Sequence, residues 1–426
     1  MGNRRVKLLR YWLVLAYRRS LELLELRIPR AATALNFPER GQRPGRLQHR
    51  KGLRRPAAKV AMTPDKHPTK GDVAIAQRLL AAYAAAGADG PMGPDPGRPD
   101  LWTLFYAKQG RFIALLARGD APELAAYLCN VARHDAALGF GQGPEAFEHL
   151  ARDPTHRRWT ALLTHDRLVS LAEAVGALEP ENPEDTIFRA NLRTDSGALV
   201  EDISRQLGID IAPPDVDGGH FKLMTPGGMF AARDLWAIYT AHLVQRTLES
   251  RASHTGRGLR VCEIGGGGGR AAYWAWRLGL RSYTIIDLPH VNVVQGYYLL
   301  KSLPGERIVL YGEPDVASAD DRIRILPQHA VSSVDGHAYD LVLNQDSFPE
   351  MSAGTVDDYL AWIKTACAGG LMLSINGENR PSYYRRSFPV VTVPDAVERV
   401  GGFARCERYP YWLRRGYVTE LYRVAG

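Results

Sequence analysis

The sequence predicts an α/β protein, a mostly parallel sheet with helices on both faces, preceded by an α-helical domain. Three observations predict it. Strand-like apolar runs alternate with helix-like ones after about residue 230. A short strand runs into five successive glycines and then a helix at residues 259–278. Alanine-rich helical segments with little strand alternation fill residues 72–208. The 426 residues suffice for two or three domains, and a composition of 45% hydrophobic and 23% charged residues excludes disordered and collagen-like classes. Cys129, Cys262, Cys367 and Cys406 lie far apart with no C-x-x-C pair, so neither a disulfide framework nor a zinc site is signalled, and a reducing cytoplasm is the expected location.

The chain carries a net charge of +8, but residues 1–70 hold 18 Lys+Arg against 4 Asp+Glu while residues 71–426 hold 36 against 42. The polyanion partner that a basic balance suggests therefore concerns only the leading segment. No specific nucleic-acid partner is expected for the mildly acidic body. Residues 1–70 are predicted to be a basic, disordered tail, rich in Arg, Pro and Gly beyond residue 27. The apolar run at residues 11–17 is too short to cross a bilayer, which takes about 20 residues, and no leader-type cleavage site follows it. Val6 stands where myristoylation of Gly2 needs Ser or Thr. The functional alternative is peripheral contact with an anionic membrane surface, Trp12 and Leu13 entering the interface. An initiator at Met62 would leave residues 1–61 untranslated.

Residues 71–212 are predicted to be the helical domain, with helices at 72–86, 101–117, 122–138 and 168–175 between Gly and Pro punctuation. Two prolines and two glycines in residues 212–219 stop any helix and mark the joint. Residues 213–426 then form the sheet domain, opening with a helix at 230–248 whose Leu235, Ile238, Tyr239 and Leu243 share one face.

The strongest signal is the run Leu259-Arg-Val-Cys-Glu-Ile-Gly-Gly-Gly-Gly-Gly-Arg270. Glycines between a strand and a helix let the backbone turn sharply and approach a ligand. The next strand, residues 282–286, ends in Asp287, about 20 residues on, where a carboxylate can accept from two ribose hydroxyls. Gly266, Gly268 and Ala271 also fit a dinucleotide fingerprint, but Glu263 would repel a pyrophosphate. An acid there suits a ligand with ammonium and sulfonium charge.

The pattern Glu263-x-Gly265-x-Gly267-x-Gly269 resembles motif I of class I S-adenosylmethionine-dependent methyltransferases, and Asp287 matches their ribose-binding acid. Further runs narrow the resemblance: Tyr283-Thr-Ile-Ile-Asp-Leu-Pro289, Val293-Val-Gln-Gly-Tyr-Tyr-Leu-Leu300 and Asp340-Leu-Val-Leu-Asn-Gln-Asp-Ser-Phe-Pro-Glu-Met351 are similar to a family of bacterial sugar O-methyltransferases. The resemblance implies a Rossmann-like domain with a mostly parallel seven-stranded sheet. It also implies S-adenosyl-L-methionine as cofactor, held by Glu263, Gly265, Gly267, Gly269, Asp287 and Leu288, and a small-molecule or glycan acceptor.

Residues 340–344 read as the fourth strand, and the polar run after it falls where ligands of open α/β sheets sit. Methyl transfer to a hydroxyl needs an oriented acceptor and a base. Asp346 and Glu350 are the candidates, with helix capping as their other role; His290, after Asp287, is a third and His329 a fourth. A divalent metal is conceivable, but no carboxylate cluster declares one. Two Arg-aromatic groups, one at Arg380, Tyr383, Tyr384, Arg385 and Arg386 and one at Arg408, Tyr409, Tyr411, Trp412, Arg414 and Arg415, could stack on a sugar or fork onto an acidic acceptor. Methylation of a non-sugar natural product or RNA, and a donor-binding scaffold tethered by the tail, are the alternatives.

Overall fold

The computed structural model describes residues 58–141, 143–180, 191–255, 258–314, 316, 320–333, 338–378 and 391–426. The membrane-contact reading of the tail and the first Arg-aromatic group lie outside these residues. Residues 57–180 and 195–426 form one compact unit. The other unit comprises residues 1–56 and 181–194 and is described only at its end, where Asn191–Arg193 make a 3₁₀ turn.

In the compact unit β1 (Val60–Met62) is followed by α1 (Lys70–Asp89), α2 (Leu101–Lys108), α3 (Gly110–Arg118), α4 (Ala121–Leu128), α5 (Gly143–Arg152), α6 (Pro154–Ala174) and α7 (Ser196–Leu207). Then come β2 (Phe221–Thr225), β3 (Gly228–Phe230), α8 (Ala232–Thr255), β4 (Arg260–Ile264), α9 (Arg270–Arg277), β5 (Ser282–Asp287) and α10 (Pro289–Ser302). The chain continues through β6 (Ile308–Leu310), β7 (Ile323–Pro327), β8 (Leu341–Gln345), α11 (Ala353–Ala366), β9 (Leu371–Gly377), α12 (Val393–Val400), β10 (Phe403–Pro410) and β11 (Tyr417–Val424).

The helical expectations hold in place but differ in length. The expected 101–117 helix breaks at Gln109, whose φ of −90° and ψ of 23° leave the helical region. The one expected at 122–138 stops at Leu128 and continues as 3₁₀ turns, because the Cys129 carbonyl is taken by Gly218 N at 2.8 Å. The one expected at 168–175 is the end of α6, which Asp153 caps by accepting from Thr155 N at 2.8 Å.

The tail ends earlier than residue 70. Val60 pairs with Leu223 and Met62 with Phe221, so β1 satisfies its backbone groups inside the fold. A capping box at Thr69 and Asp72 starts α1, and Asp72 also receives the Tyr297 hydroxyl at 2.9 Å and Lys301 at 2.7 Å, tying α1 to α10. The expected joint at 212–219 lies inside the same unit.

The main sheet has the order β10-β11-β9-β8-β4-β5-β7-β6. Strands β4 to β9 pair in parallel, and β11 is antiparallel to both β9 and β10. The sheet has eight strands rather than the expected seven, because three-residue β6 adds an edge beside β7. Every residue of β5 is buried, as a parallel sheet covered on both faces requires. β4 lies between β5 and β8, so the strand order reverses at its carboxyl end and opens a crevice there. No described helix is long and apolar enough to cross a membrane.

Candidate functional site

The glycine loop leaves β4 at Ile264. Gly265, Gly267 and Gly269 have φ of +76°, +53° and +74°, in the left-handed region that glycine enters freely. At Gly265 space is also lacking: a Cβ would lie 2.3 Å from Ser347 Oγ. Gly265 N donates to the Ile286 carbonyl at 2.9 Å, which fixes the loop to β5.

Glu263 lies beneath this loop, 3% exposed, and accepts from the Tyr283 hydroxyl at 3.1 Å. Burial pushes its pKa up to about 7, against the Tyr283 hydrogen bond. Asp287, at the end of β5, accepts from Leu288 N at 2.8 Å and from Gln295 Nε2 at 2.7 Å. Burial pushes it up to about 7 as well, although Leu288, Gln295 and the Gly266 and Gly267 amides favour the ion. Glu263, Gly265, Gly267, Asp287 and Leu288 line one cleft of about 440 Å³. Gly269 does not. It makes the left-handed turn into α9 at φ +74°, which is what favours glycine there, since a Cβ would meet Gln295 only at ordinary contact distance.

The same cleft holds both predicted carboxyls after β8. Asp346, at φ +68°, accepts from Arg414 Nη1 with both oxygens, at 2.8 and 2.6 Å. Glu350, in the 3₁₀ turn Phe348–Glu350, accepts from Trp102 Nε1 at 3.1 Å through Oε2, and Oε1 has no partner among the described residues. Burial pushes Glu350 up to about 8, with the Asp346 charge adding and Arg233 opposing. Neither acid caps the next helix. Ser352 does that, accepting from Thr355 N at 3.2 Å. Between the two ends, Ser347 Oγ and Asn344 Nδ2 donate to the Ile264 carbonyl at 2.9 and 3.1 Å, and Asn376 Nδ2 donates to Asn344 Oδ1 at 3.0 Å. This buried net holds the ends of β4, β8 and β9 together.

His290 is not part of the cleft. It is 1% exposed, edge-on to Tyr106 at 5.0 Å, with neither ring nitrogen hydrogen-bonded among the described residues. Burial lowers its pKa to about 3. The reason is helical phase: His290 sits in the first turn of α10 facing the N-terminal helices, away from the loop that Asp287 serves. His329 lies against Tyr311 instead. Of the second Arg-aromatic group, Arg414 reaches the cleft, while Arg408 pairs with Glu378 and Glu420 and Tyr411 is buried, donating to the Trp236 carbonyl at 3.0 Å. Among the described residues no group of three His, Cys, Asp or Glu side chains gathers as a metal site would.

Sequence reasoning missed the rest of the wall. Trp102, from α2, stacks on Phe140 at 6.4 Å, and both line the cleft. Arg233 and Trp236 enter from the first turns of α8. Arg414 lies over Trp236 at 4.1 Å and over Tyr417 at 3.6 Å. Apart from the pairs Arg233/Trp236 and Arg414/Tyr417, each three positions apart, no spacing in the sequence links these residues, because they come from separate segments.

No family model matches the chain, and no curated protein does. Solved structures to which it is similar include the 1,6-didemethyltoxoflavin-N1-methyltransferase of Burkholderia thailandensis with 1,6-didemethyltoxoflavin and S-adenosylhomocysteine bound: 16% identity, 50% of this chain and 100% of that one, TM-score 0.28. An O-methyltransferase family protein from Burkholderia thailandensis is 17% identical over 46% of this chain and 60% of that one, TM-score 0.29. The bifunctional kinase-methyltransferase WbdD is 14% identical over 46% of this chain and 40% of that one, TM-score 0.33. Likeness of this extent carries no argument about activity, for which the geometry of the cleft is the ground.

Proposed function

We propose that the chain is an S-adenosylmethionine-dependent O-methyltransferase acting on a hydroxyl of a sugar or glycoconjugate. The observation that carries this reading is one cleft holding, at one end, a glycine loop flanked by acids and, at the other, a carboxyl of raised basicity. The donor set fits a cation. Glu263 and Asp287 stand by the loop, and Arg270, the cation that follows it, is engaged by Asp234 at 2.9 Å, so its guanidinium is not free to neutralise a pyrophosphate. Gly265, Gly267 and Glu263 would hold the methionine part, and Asp287 and Leu288 the ribose and adenine.

When bound, S-adenosylmethionine supplies an electrophilic methyl group on a sulfonium. Glu350 takes the proton of the acceptor hydroxyl. Its Oε1 is open and its pKa of about 8 makes it a stronger base than an ordinary carboxylate, yet one that ionises near neutral pH. Asp346 is the lesser candidate, since Arg414 occupies both its oxygens; it orients Arg414. Trp102 and Phe140 offer flat apolar faces, which suit the C–H side of a sugar ring. The test is calorimetric titration with S-adenosylhomocysteine and, separately, NAD, followed by mass spectrometry of candidate glycans for a gained methyl group. Binding of S-adenosylhomocysteine alone supports the reading; binding of NAD alone overturns it.

A further inference from the structure

We propose that the acceptor carries an acid group, a carboxylate or a phosphate, which Arg233 and Arg414 receive beside Trp236, with Arg167 adding its charge. The proposal rests on the methyltransferase reading and concerns the opposite end of the same cleft. Three guanidinium groups from three remote segments converge on one indole: Arg167 at 5.0 Å, Arg233 at 5.7 Å and Arg414 at 4.1 Å from the Trp236 ring. Their counter-charge is short. Asp346 serves Arg414. Arg233 makes one hydrogen bond, to the Gly139 carbonyl at 3.1 Å, and has no ion pair among the described residues. Arg167 has neither.

Guanidinium groups drawn together out of water repel each other and lose hydration, an arrangement that needs compensating negative charge. Both Arg167 and Arg233 are held below the usual arginine range, burial being the first cause in each case. Glu350, the other acid at this end, is kept largely protonated at neutral pH by its raised pKa. The buried Trp236 Nε1–H also lacks a partner among the described residues. What this end lacks is acceptors, and Arg forks match the oxygens of carboxylate and phosphate. The cleft thus has acids without a paired arginine beside the glycine loop, and at the acceptor end Arg233 without an ion pair among the described residues next to Arg414, which Asp346 engages.

The test uses the full chain saturated with S-adenosylhomocysteine and titrated with methyl glucoside, its C6 carboxylate analogue (the methyl glycoside of glucuronic acid) and methyl glucoside 6-phosphate, which differ only at C6. At least one acid probe should bind about tenfold tighter than the neutral one; the stronger of the two identifies carboxylate or phosphate as the source. Arg233→Gln should remove that advantage while neutral-probe and S-adenosylhomocysteine affinities stay at wild-type values. Arg233→Lys, which keeps the charge, should retain part of it. Equal affinities for all three probes, including no measurable binding of any, overturn the proposal, as does Arg233→Gln weakening acid and neutral probes alike. Failure of S-adenosylhomocysteine to bind removes the methyltransferase reading itself, so the two failures are told apart in the first titration.

Discussion

Glu263, Gly265, Gly267 and Asp287 come from one strand-helix-strand stretch, residues 263–287, whereas Trp102, Arg233, Trp236, Glu350 and Arg414 are gathered from four segments between residues 102 and 414. On the proposed reading, function at the donor end lies in backbone shape, glycines at positive φ with two buried carboxyls beside them. At the acceptor end it lies in side-chain charge arranged by tertiary packing. The donor end should therefore be broken by adding atoms and the acceptor end by removing charge, and the two kinds of damage should stay separate.

Gly265→Val is the largest expected effect. The new Cβ would collide with Ser347 at a φ of +76°, where a β-branched residue is strained. Donor binding, read by calorimetry with S-adenosylhomocysteine, should be lost. If Gly265→Val kept donor affinity, backbone shape would not define that end.

Glu350→Gln should do the opposite: donor affinity near wild type, with turnover down about 10²- to 10⁴-fold. Wild-type rate should rise with pH to a plateau above about 8, as a base of that pKa requires. Stability should move the other way. Folded Glu350 keeps its proton up to about 8, whereas the unfolded chain releases it near 4.5, so stability is full below the lower value and falls as pH rises toward the upper one. The glutamine variant escapes that loss and should melt above wild type at pH 8, with little difference below the lower value.

The contrast also explains what could be read from the sequence. Glu263, the loop glycines and Asp287 are close in the chain, and strand and helix periods place them, so their signal is local. Asp346 and Glu350 were legible as a polar run after a strand, but the division between them was not. It depends on Arg414 arriving 68 positions later to fork onto Asp346, and on Trp102, 248 positions earlier, meeting Glu350. His290 misled because proximity to Asp287 in sequence says nothing about helical phase. The eighth strand was missed because three residues of β6 carry no periodicity. The tail boundary was missed because β1 becomes a strand only by pairing with β2, which lies beyond all seven N-terminal helices.

Asp287→Ala should weaken donor binding by about 1–3 kcal/mol, the cost of losing hydrogen bonds to a charged acceptor. It should also change proton uptake. Glu263 and Asp287 both titrate near 7 in the free protein, and a cationic ligand with hydroxyl donors favours their ionised forms. Wild-type binding should therefore release protons below that value and tighten as pH rises through it. Titrations in buffers of different ionisation enthalpy measure this release, which should shrink in Asp287→Ala; equal release in both would place the coupled proton elsewhere.

Asp346→Asn is the smallest effect and the sharpest test of the division between the two acids. Asparagine tolerates the left-handed region that φ +68° requires, so the loop should keep its shape. The lost pair with Arg414 is partly exposed, with side-chain exposures of 27% for Asp346 and 19% for Arg414, and its loss should cost about 1 kcal/mol in thermal or denaturant unfolding. Turnover at the high-pH plateau should fall less than about tenfold, because Glu350 still takes the proton. The informative quantity is the pH profile. The Asp346 charge is one of the causes that hold Glu350 high, so neutralising it should move the midpoint of the rate profile to lower pH by up to about one unit. If Asp346 were itself the base, the variant would instead lose about 10²- to 10⁴-fold in rate at every pH, and the midpoint would carry no memory of Glu350.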